Sequence, residues 1–200
     1  VAIQVQRALA FEMTPPTGAS SVWFTSATLI SSSQGEGESN DDHYCDLFGD
    51  RLASAGYTTL DKFYNSLQTD YAASISSSIN LGRGILAYFG HGSGTEWTTT
   101  RPPYSQAHIA SLTNVGRPPV IVDVSCANGA FDREGDCMAE SWMKAGTPDA
   151  PTGGIVTYSS STDTSWDPPA VMAQGFAEGI TVAGLARWGE AIQYGRTYLV

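Results

Sequence analysis

Short apolar runs alternate with segments of helical spacing along most of the chain. Runs rich in β-branched and aromatic residues predict five strands, at Val22–Ile30, Tyr57–Phe63, Gly84–Gly90, Val120–Ser125 and Gly154–Ser159. The clearest helical pattern covers Asp41–Ala55, where apolar side chains recur every three or four positions. Alternation of this kind is typical of βαβ units. The pattern therefore predicts an α/β fold in which helices flank a mostly parallel sheet.

Further helices are predicted between and after these strands. They cover Thr69–Asn80, Ser105–Leu112, Asp136–Ala145, Pro168–Glu178 and Ala183–Tyr194. In the Asp41–Ala55 helix, Ser39 or Asn40 can cap the first turn and Gly56 suits the end. Ser31–Asn40 and Thr95–Tyr104 are predicted surface loops at the sheet edge where open α/β folds bind ligands.

Composition limits the partners of the chain. With 200 residues, 42% of them hydrophobic, and no long linker, the sequence predicts one globular domain over residues 1–200. The net charge of -10 would repel nucleic acid and anionic lipid, so neither is an expected partner. No apolar run approaches the ~18 residues that a membrane span requires. The chain begins at Val1 and ends at Val200, and we expect it to be part of a longer protein.

Two predicted strands end on side chains that can carry covalent catalysis. Gly84–Gly90 leads into His91, and Val120–Ser125 leads into Cys126. Their separation of 126 - 91 = 35 residues leaves room for a crossover and the next parallel strand, which would bring both to one sheet edge. A thiol attacks as a thiolate and needs a nearby base, which a histidine supplies. This layout is that of a cysteine peptidase.

The backbone around both residues also suits that chemistry. Glycine at Gly92 lets the chain turn sharply, and the N–H groups of Gly92 and Cys126 could hold an oxyanion. Alternatively, His91 is a turn or core histidine and Cys126 a small buried hydrophobe. The pairing of both on successive apolar strands favours catalysis. Cys45, Cys126 and Cys137 are odd in number and lack CxxC spacing, so a zinc site or a disulfide scaffold is not expected.

The motifs at these strand ends resemble the gingipain-type cysteine peptidases, which have a caspase-like fold. The matching segments, in order, are His91-Gly92 within Gly90–Ser93, Glu96-Trp97, Asp123–Gly129, Cys137–Glu140, and Pro151–Gly153 leading to Ser165-Trp166. The resemblance covers Val22–Gly179. It implies a three-layer caspase/gingipain-like sandwich, with residues 1–20 as a linking helix and residues 21–200 as the catalytic core. The family carries a further α/β subdomain before this unit and an immunoglobulin-like domain after it, so both are expected partners in a parent chain.

The resemblance also implies roles for individual residues. His91 resembles the general base and acid, Cys126 the nucleophile, and Gly92 with Cys126 the oxyanion donors. Trp166 resembles the aromatic wall of the S1 pocket, which holds the substrate side chain before the cleaved bond (P1). Cys137 matches a family cysteine that is not catalytic and is expected to be a packed thiol in the first turn of a helix.

The P1 preference is open on the sequence. Arginine-specific members carry an aspartate at the position of Asn40, and lysine-specific members carry one at Ser165. Asp41 or Asp42, and Asp163, could supply the missing charge, or they could be solvated turn residues. The acid that often orients the family's histidine falls near Thr28, so a dyad is expected rather than a triad.

The sequence thus predicts a cysteine endopeptidase that acts on a peptide or protein substrate and is secreted or held at the cell surface. Two alternatives remain, a sortase-like transpeptidase and an inert caspase-like binding module. No cofactor is expected. The acidic residues of Glu36–Asp50 could bind calcium, but they lack the EF-hand spacing, and a solvated acidic face is the simpler interpretation.

Overall fold

The structure, a computed structural model, describes residues 1–199. This part of the chain contains seven α-helices, and they are α1 (Ala2–Met13), α2 (Asp41–Ser54), α3 (Ala72–Leu81), α4 (Gln106–Ala110), α5 (Met138–Lys144), α6 (Asp167–Thr181) and α7 (Trp188–Arg196). It contains seven strands, which are β1 (Ser26–Ser31), β2 (Thr59–Tyr64), β3 (Ile85–Phe89), β4 (Glu96–Trp97), β5 (Tyr104–Ser105), β6 (Val120–Val124) and β7 (Val156–Ser159).

Five of these strands form one parallel sheet in the order β2-β1-β3-β6-β7. The central pair, β3 and β6, places Tyr88 opposite Asp123. The remaining two, β4 and β5, form a separate antiparallel pair after β3. Because every strand of the main sheet runs in the same direction, all of their carboxyl ends lie at one edge.

Helices cover both faces of the sheet, because successive side chains of a strand point to opposite sides. Ile85 and Phe89 of β3 pack in a core cluster with α2, α6 and α7, whereas Leu86 and Tyr88 pack in a second cluster with α3, α4 and α5. These two cores make three layers. The predicted fold class, a mostly parallel sheet flanked by helices, is confirmed.

The structure differs from the sequence prediction in several segments. The first strand begins only at Ser26, because Gly18–Thr25 winds into a 3-10 helix. The Thr95–Tyr104 segment is a β-hairpin rather than an open loop, and its Trp97 and Tyr104 are fully buried. The final helix starts at Trp188, later than predicted, after a turn at Gly184 with a left-handed φ of 64°.

The N-terminal helix α1 is held to the domain by the buried side chain of Arg7, which is 3% exposed. Its guanidinium donates hydrogen bonds to the carbonyl oxygens of Met143 (3.0 Å), Gly154 (2.8 Å), Ala145 (3.1 Å) and Thr152. Burial lowers the pKa of Arg7 to about 10, so it remains charged at neutral pH. One side chain therefore joins α1 to the segment between α5 and β7.

Replacing Arg7 with methionine should destabilise the fold substantially. The substitution keeps most of the side chain's length but leaves buried carbonyl groups without their charged donor, which costs about 2–4 kcal/mol. Urea unfolding followed by tryptophan fluorescence measures the change. The matched control is Arg187→Met, because that guanidinium is exposed and pairs with Glu190 on the surface. Equal stability of the two variants would contradict this role of Arg7.

Candidate active site

Four loops meet at the carboxyl edge of the sheet, after β1, β3, β6 and β7. The backbone N–H of Ser32 donates to Phe89 O (2.9 Å), and that of Gly90 donates to Val124 O (3.2 Å), so the sheet ladder continues into the loops. Between the loops lies a cleft of about 100 Å³. Six of the residues that line it are Asp41, His91, Cys126, Thr164, Ser165 and Trp166. The structure therefore brings together most of the residues predicted for the site.

His91 leaves β3 two residues after its end and reaches into this cleft. Its ring nitrogen Nε2 lies 2.8 Å from Oε1 of Gln34. The imidazole also meets the ring of Trp166 edge to face, at 5.2 Å between centroids. These two contacts fix the direction of the imidazole.

Gln34 is a site residue that the sequence analysis missed. The resemblance places the orienting acid near Thr28, but the Thr28 hydroxyl lies 2.6 Å from Ser78 Oγ inside the fold. The only local signal was the position of Gln34 in the loop after β1. The hydrogen-bond partner of Nε2 is thus a neutral amide, and the dyad stays a prediction.

Cys126 is half-buried at the end of β6, whereas Cys45 and Cys137 are buried. The N–H of Thr164, from the loop after β7, donates to Cys126 Sγ at 3.4 Å. The next residue, Ala127, has a left-handed φ of 56°, which turns the chain sharply away from the sulfur. Within residues 1–199 no hydrogen bond joins Cys126 to His91. Both groups are therefore available to a substrate bound in the cleft.

The backbone N–H groups of Cys126 and Gly92 are the predicted oxyanion donors. In the part of the chain that the structure describes, neither Gly92 nor Cys126 donates its N–H to a protein group. A side chain at position 92 would collide with the carbonyl oxygen of Cys126. Glycine is thus required there, because it lets the loop after β3 approach the backbone of Cys126 closely.

A buried carboxylate, Asp123, lies directly below the cysteine loop and is 2% exposed. It accepts hydrogen bonds from Trp97 Nε1 (2.9 Å), Ser125 Oγ (2.5 Å) and Asn128 Nδ2 (3.0 Å). Burial raises the pKa of Asp123 to about 6, and these three donors oppose the rise. The sequence analysis recorded Asp123 only as part of a motif.

The predicted substrate-binding residues on the β7 side fall in two places. Trp166 and Ser165 line the cleft, and Trp166 donates from Nε1 to Ser39 O at 2.8 Å while 38% of its surface stays exposed. Trp166 thus forms a wall between the loops after β1 and β7. Asp163 is exposed and is not among the residues that line the cleft.

On the β1 side, Asp41 lines the cleft, whereas its neighbour Asn40 does not. Asn40 caps α2, since its Oδ1 accepts from the N–H of Asp42 (2.8 Å) and its Nδ2 donates to Gly35 O (3.0 Å). It does not line the cleft. Asp41 does, with 5% of its surface exposed, and it accepts a hydrogen bond from Ser32.

The environment of Asp41 makes it an unusual carboxyl group. Burial raises the pKa of Asp41 to about 6, although the hydrogen bond from Ser32 and the nearby charge of His91 lower it. Its hydrogen bond to Ser32 engages one oxygen, Oδ2, and among residues 1–199 no donor reaches the other. Asp41 is therefore the acidic side chain of the cleft.

The acidic stretch Glu36–Asp50 does not converge on a single point. Within residues 1–199, no group of three or more His, Cys, Asp or Glu side chains is arranged to hold a metal ion. Calcium binding thus gains no support from the geometry, and the expectation that no cofactor is needed stays a prediction.

Comparison with known proteins agrees with this geometry. A family model described as Peptidase family C25 matches residues 1–200. The chain belongs to peptidase family C25. Gingipain R2 and Gingipain R1 of Porphyromonas gingivalis are each 32% identical to it over 171 residues, which is 83% of this chain. The predicted membership among gingipain-type cysteine peptidases is confirmed.

Solved structures of a related peptidase have the same fold. The crystal structure of the Arg-specific cysteine proteinase gingipain R superposes with a TM-score of 0.89 and 28% identity, covering 99% of this chain and 46% of that one. The complex of the pro- and mature domains of Porphyromonas gingivalis RgpB gives a TM-score of 0.86 and 26% identity over 98% and 47% of the two chains. The fold of this C25 chain is thus that of a gingipain unit.

The C25 chain is much shorter than these relatives. It spans 22% of the length of Gingipain R2 and 16% of one Gingipain R1 sequence. Within residues 1–199, none of the helices is both long and apolar enough to cross a bilayer.

The buried carboxyl group of Asp41 should make the stability of the C25 chain depend on pH. Because its pKa rises from 3.8 to about 6 on folding, the folded protein binds this proton more tightly than the unfolded chain does. The free energy of unfolding should therefore fall as the pH rises through this range, by about 1–3 kcal/mol from Asp41 alone.

Urea unfolding at pH 4.5 and pH 7.5 tests this dependence. The Asp41→Asn variant should lose less stability between the two values than the native chain does, with Asp123 still contributing in the same direction. Asp50→Asn, an exposed change in the same helix, is the control. A pH dependence in Asp41→Asn as steep as in the native chain would contradict the assignment.

Proposed function

We propose that this chain is the catalytic unit of a cysteine endopeptidase that works through Cys126 and His91. The observation that carries the proposal is their shared cleft at the ends of neighbouring parallel strands. Within residues 1–199, the N–H groups of Cys126 and of Gly92, the residue after His91, have no protein acceptor. Membership of a cysteine peptidase family supports it. No observation favours the transpeptidase or the inert binding module.

The reaction divides into two halves at an acyl-enzyme. The Cys126 thiol gives its proton to His91, and the sulfur attacks the carbonyl carbon of the scissile peptide. The N–H groups of Gly92 and Cys126 stabilise the oxyanion. His91 then protonates the leaving amine, which breaks the C–N bond and leaves a thioester. Water, deprotonated by His91, attacks the thioester and returns the thiol.

Gln34 and Trp166 have supporting roles in this mechanism. Gln34 pairs with Nε2 of the imidazole, and the edge of Trp166 limits its rotation. Gln34 cannot ionise, so it orients His91 without competing for its proton.

The substrate preference of the cleft depends on Asp41. One related structure is described as Arg-specific, and a basic P1 side chain needs a carboxylate partner. Asp41 has an unengaged oxygen in the cleft, whereas Asn40 is occupied as a helix cap and Asp163 lies outside the lining. We assign Asp41 the role of the P1 acid, with Trp166 and Ser165 as the wall beside it.

Other parts of the proposal concern the protein around this unit. Family membership supports a peptide or protein substrate, a secreted or cell-surface location, and further domains in a parent chain. Calcium binding at the acidic Glu36–Asp50 stretch stays an untested alternative, and a solvated acidic face without a cofactor stays the prediction.

Covalent labelling tests the nucleophile and its base. A peptidyl electrophile should add one label to the native chain, detected by intact mass. Cys126→Ala should abolish the label and His91→Ala should slow labelling about 100-fold or more, because general base catalysis contributes about 10²–10⁴-fold. Cys137→Ala, which removes a buried thiol, is the control and should label as the native chain does. Labelling that survives Cys126→Ala would overturn the assignment.

The P1 assignment predicts a selectivity that changes with pH. In the native chain, the preference for P1 arginine over P1 alanine, measured as a ratio of kcat/KM, should rise between pH 5 and pH 7.5. Over this range Asp41, whose pKa is raised to about 6, becomes ionised.

Asp41→Asn should lower that ratio at pH 7.5 by about 10-fold or more, since a charge-assisted hydrogen bond contributes about 1.5–3 kcal/mol. Asp50→Asn is the control on the surface of α2 and should leave the ratio unchanged. A ratio that survives Asp41→Asn, or that is lost in Asp163→Asn instead, would refute this role.

A further inference from the structure

Asp123 and Asn128 lie below the cleft and touch neither the thiol nor the imidazole in any hydrogen bond of residues 1–199. We propose that these two side chains form a positioning unit that fixes the oxyanion N–H groups of Gly92 and Cys126 relative to each other. The inference rests on the proposed peptidase function and deepens it.

One arm of this unit reaches Gly92 through the β-hairpin. Asp123 accepts from the indole N–H of Trp97 at 2.9 Å. Trp97 is the bridge partner of Gly92, and that pairing is held by the bonds Thr98 N–H to His91 O (3.0 Å) and Ser93 N–H to Glu96 O (3.2 Å). The carboxylate is thus bonded to the residue that lies opposite the first oxyanion donor.

The other arm reaches Cys126 along the chain. The hydroxyl of Ser125 donates to Asp123 at 2.5 Å and accepts from Asn128 Nδ2 at 2.9 Å. Ser125 directly precedes Cys126, so these bonds hold the peptide that carries the second oxyanion donor. A single carboxylate therefore contacts the neighbour of each donor.

Asn128 joins the two loops directly. Its Nδ2 donates to Asp123, while its Oδ1 accepts from the backbone N–H of Gly94 at 2.9 Å. Gly94 also accepts from Met138 N–H at 2.8 Å, at the first residue of α5. The loop after His91 and the loop after Cys126 are consequently tied to each other and to a helix end.

The free-energy cost of burying the Asp123 carboxylate indicates that this group fixes the geometry of the site rather than adding stability. Asp123 lies on the face of β6 where Ile121 packs among apolar side chains, and its three donors are all neutral groups. A buried carboxylate without a cation is expensive, and a well-packed apolar residue is often at least as stable. What an apolar residue cannot do is bind the indole, the hydroxyl and the amide in fixed directions.

Kinetics of two variants test the unit. Asp123→Asn removes the charge at nearly constant shape, and Asn128→Ala removes the amide that bonds Gly94, Ser125 and Asp123. Each is compared with the native chain for kcat and KM on one peptide substrate and for inhibition by the matching peptide aldehyde. The aldehyde adds to the Cys126 sulfur, so its oxygen occupies the oxyanion position.

We expect kcat to fall about 10–100-fold in both variants, somewhat less than the ~10²–10³-fold caused by losing an oxyanion donor outright. KM should stay within about threefold, and the aldehyde should bind weaker by about the same factor as kcat falls. The matched control is Asp61→Asn. Asp61 is a hub of similar size on the edge strand β2, bonded to Ser78 and Arg83, and its loss should lower stability while leaving kcat within about twofold.

Several results would overturn the inference. One is a folded Asp123→Asn or Asn128→Ala variant whose kcat stays within threefold of the native value; another is a loss of kcat no larger than in Asp61→Asn. If Asp123→Asn does not fold, Asn128→Ala decides, and if neither folds the pair is a stability element and the inference is wrong. A native chain that does not bind the aldehyde would instead refute the proposed peptidase function.

Discussion

The parallel hydrogen-bond ladder between β1, β3 and β6 is the interaction on which the site depends. It continues past the strands, through Ser32 N–H to Phe89 O and Gly90 N–H to Val124 O, up to the residue before His91. Both reacting side chains therefore leave the sheet from backbone that is already fixed. The loops need to define only the last few ångströms of the geometry, and the free energy that orders the site comes mostly from the sheet and its two cores.

Two carboxyl groups at the carboxyl edge of the sheet are buried, Asp123 and Asp41. Burial raises the pKa values of both to about 6, but their partners differ. Asp123 is saturated by three donors and faces away from solvent, which suits a fixed support. Asp41 lines the cleft, and within residues 1–199 only one of its oxygens accepts a side-chain hydrogen bond, which suits a group that binds a cation. The number of hydrogen bonds that each carboxylate accepts thus distinguishes the supporting Asp123 from the substrate-binding Asp41.

The sequence predicted those features of the fold and site that depend on local residue patterns. The apolar runs that became β3 and β6 identified the strands, and their ends identified His91 and Cys126. It missed what depends on distant contacts. Each strand of the β4–β5 hairpin has only two residues and lies in a polar segment. The hairpin is recognised only from the burial of Trp97 against Tyr88 and Asp123, which is a tertiary contact. Gln34 lies 57 residues from His91 in the chain, so no local spacing could pair them. Asn40 caps a helix and Asp163 lies in an exposed loop, so neither side chain lines the cleft. Residue type alone does not determine either placement.

The attachment of α1 has an evolutionary consequence. Arg7 binds only main-chain carbonyl oxygens, at Met143, Ala145, Thr152 and Gly154. Every amino acid supplies the same carbonyl group, so the hydrogen bonds themselves do not depend on which side chains these four positions carry, provided that the backbone keeps its path. Selection for this contact would then act on Arg7 and on the backbone path, and not on the identity of its four partners. No correlated substitution would mark the contact, so comparison of related sequences would not reveal the side chain that joins α1 to the domain.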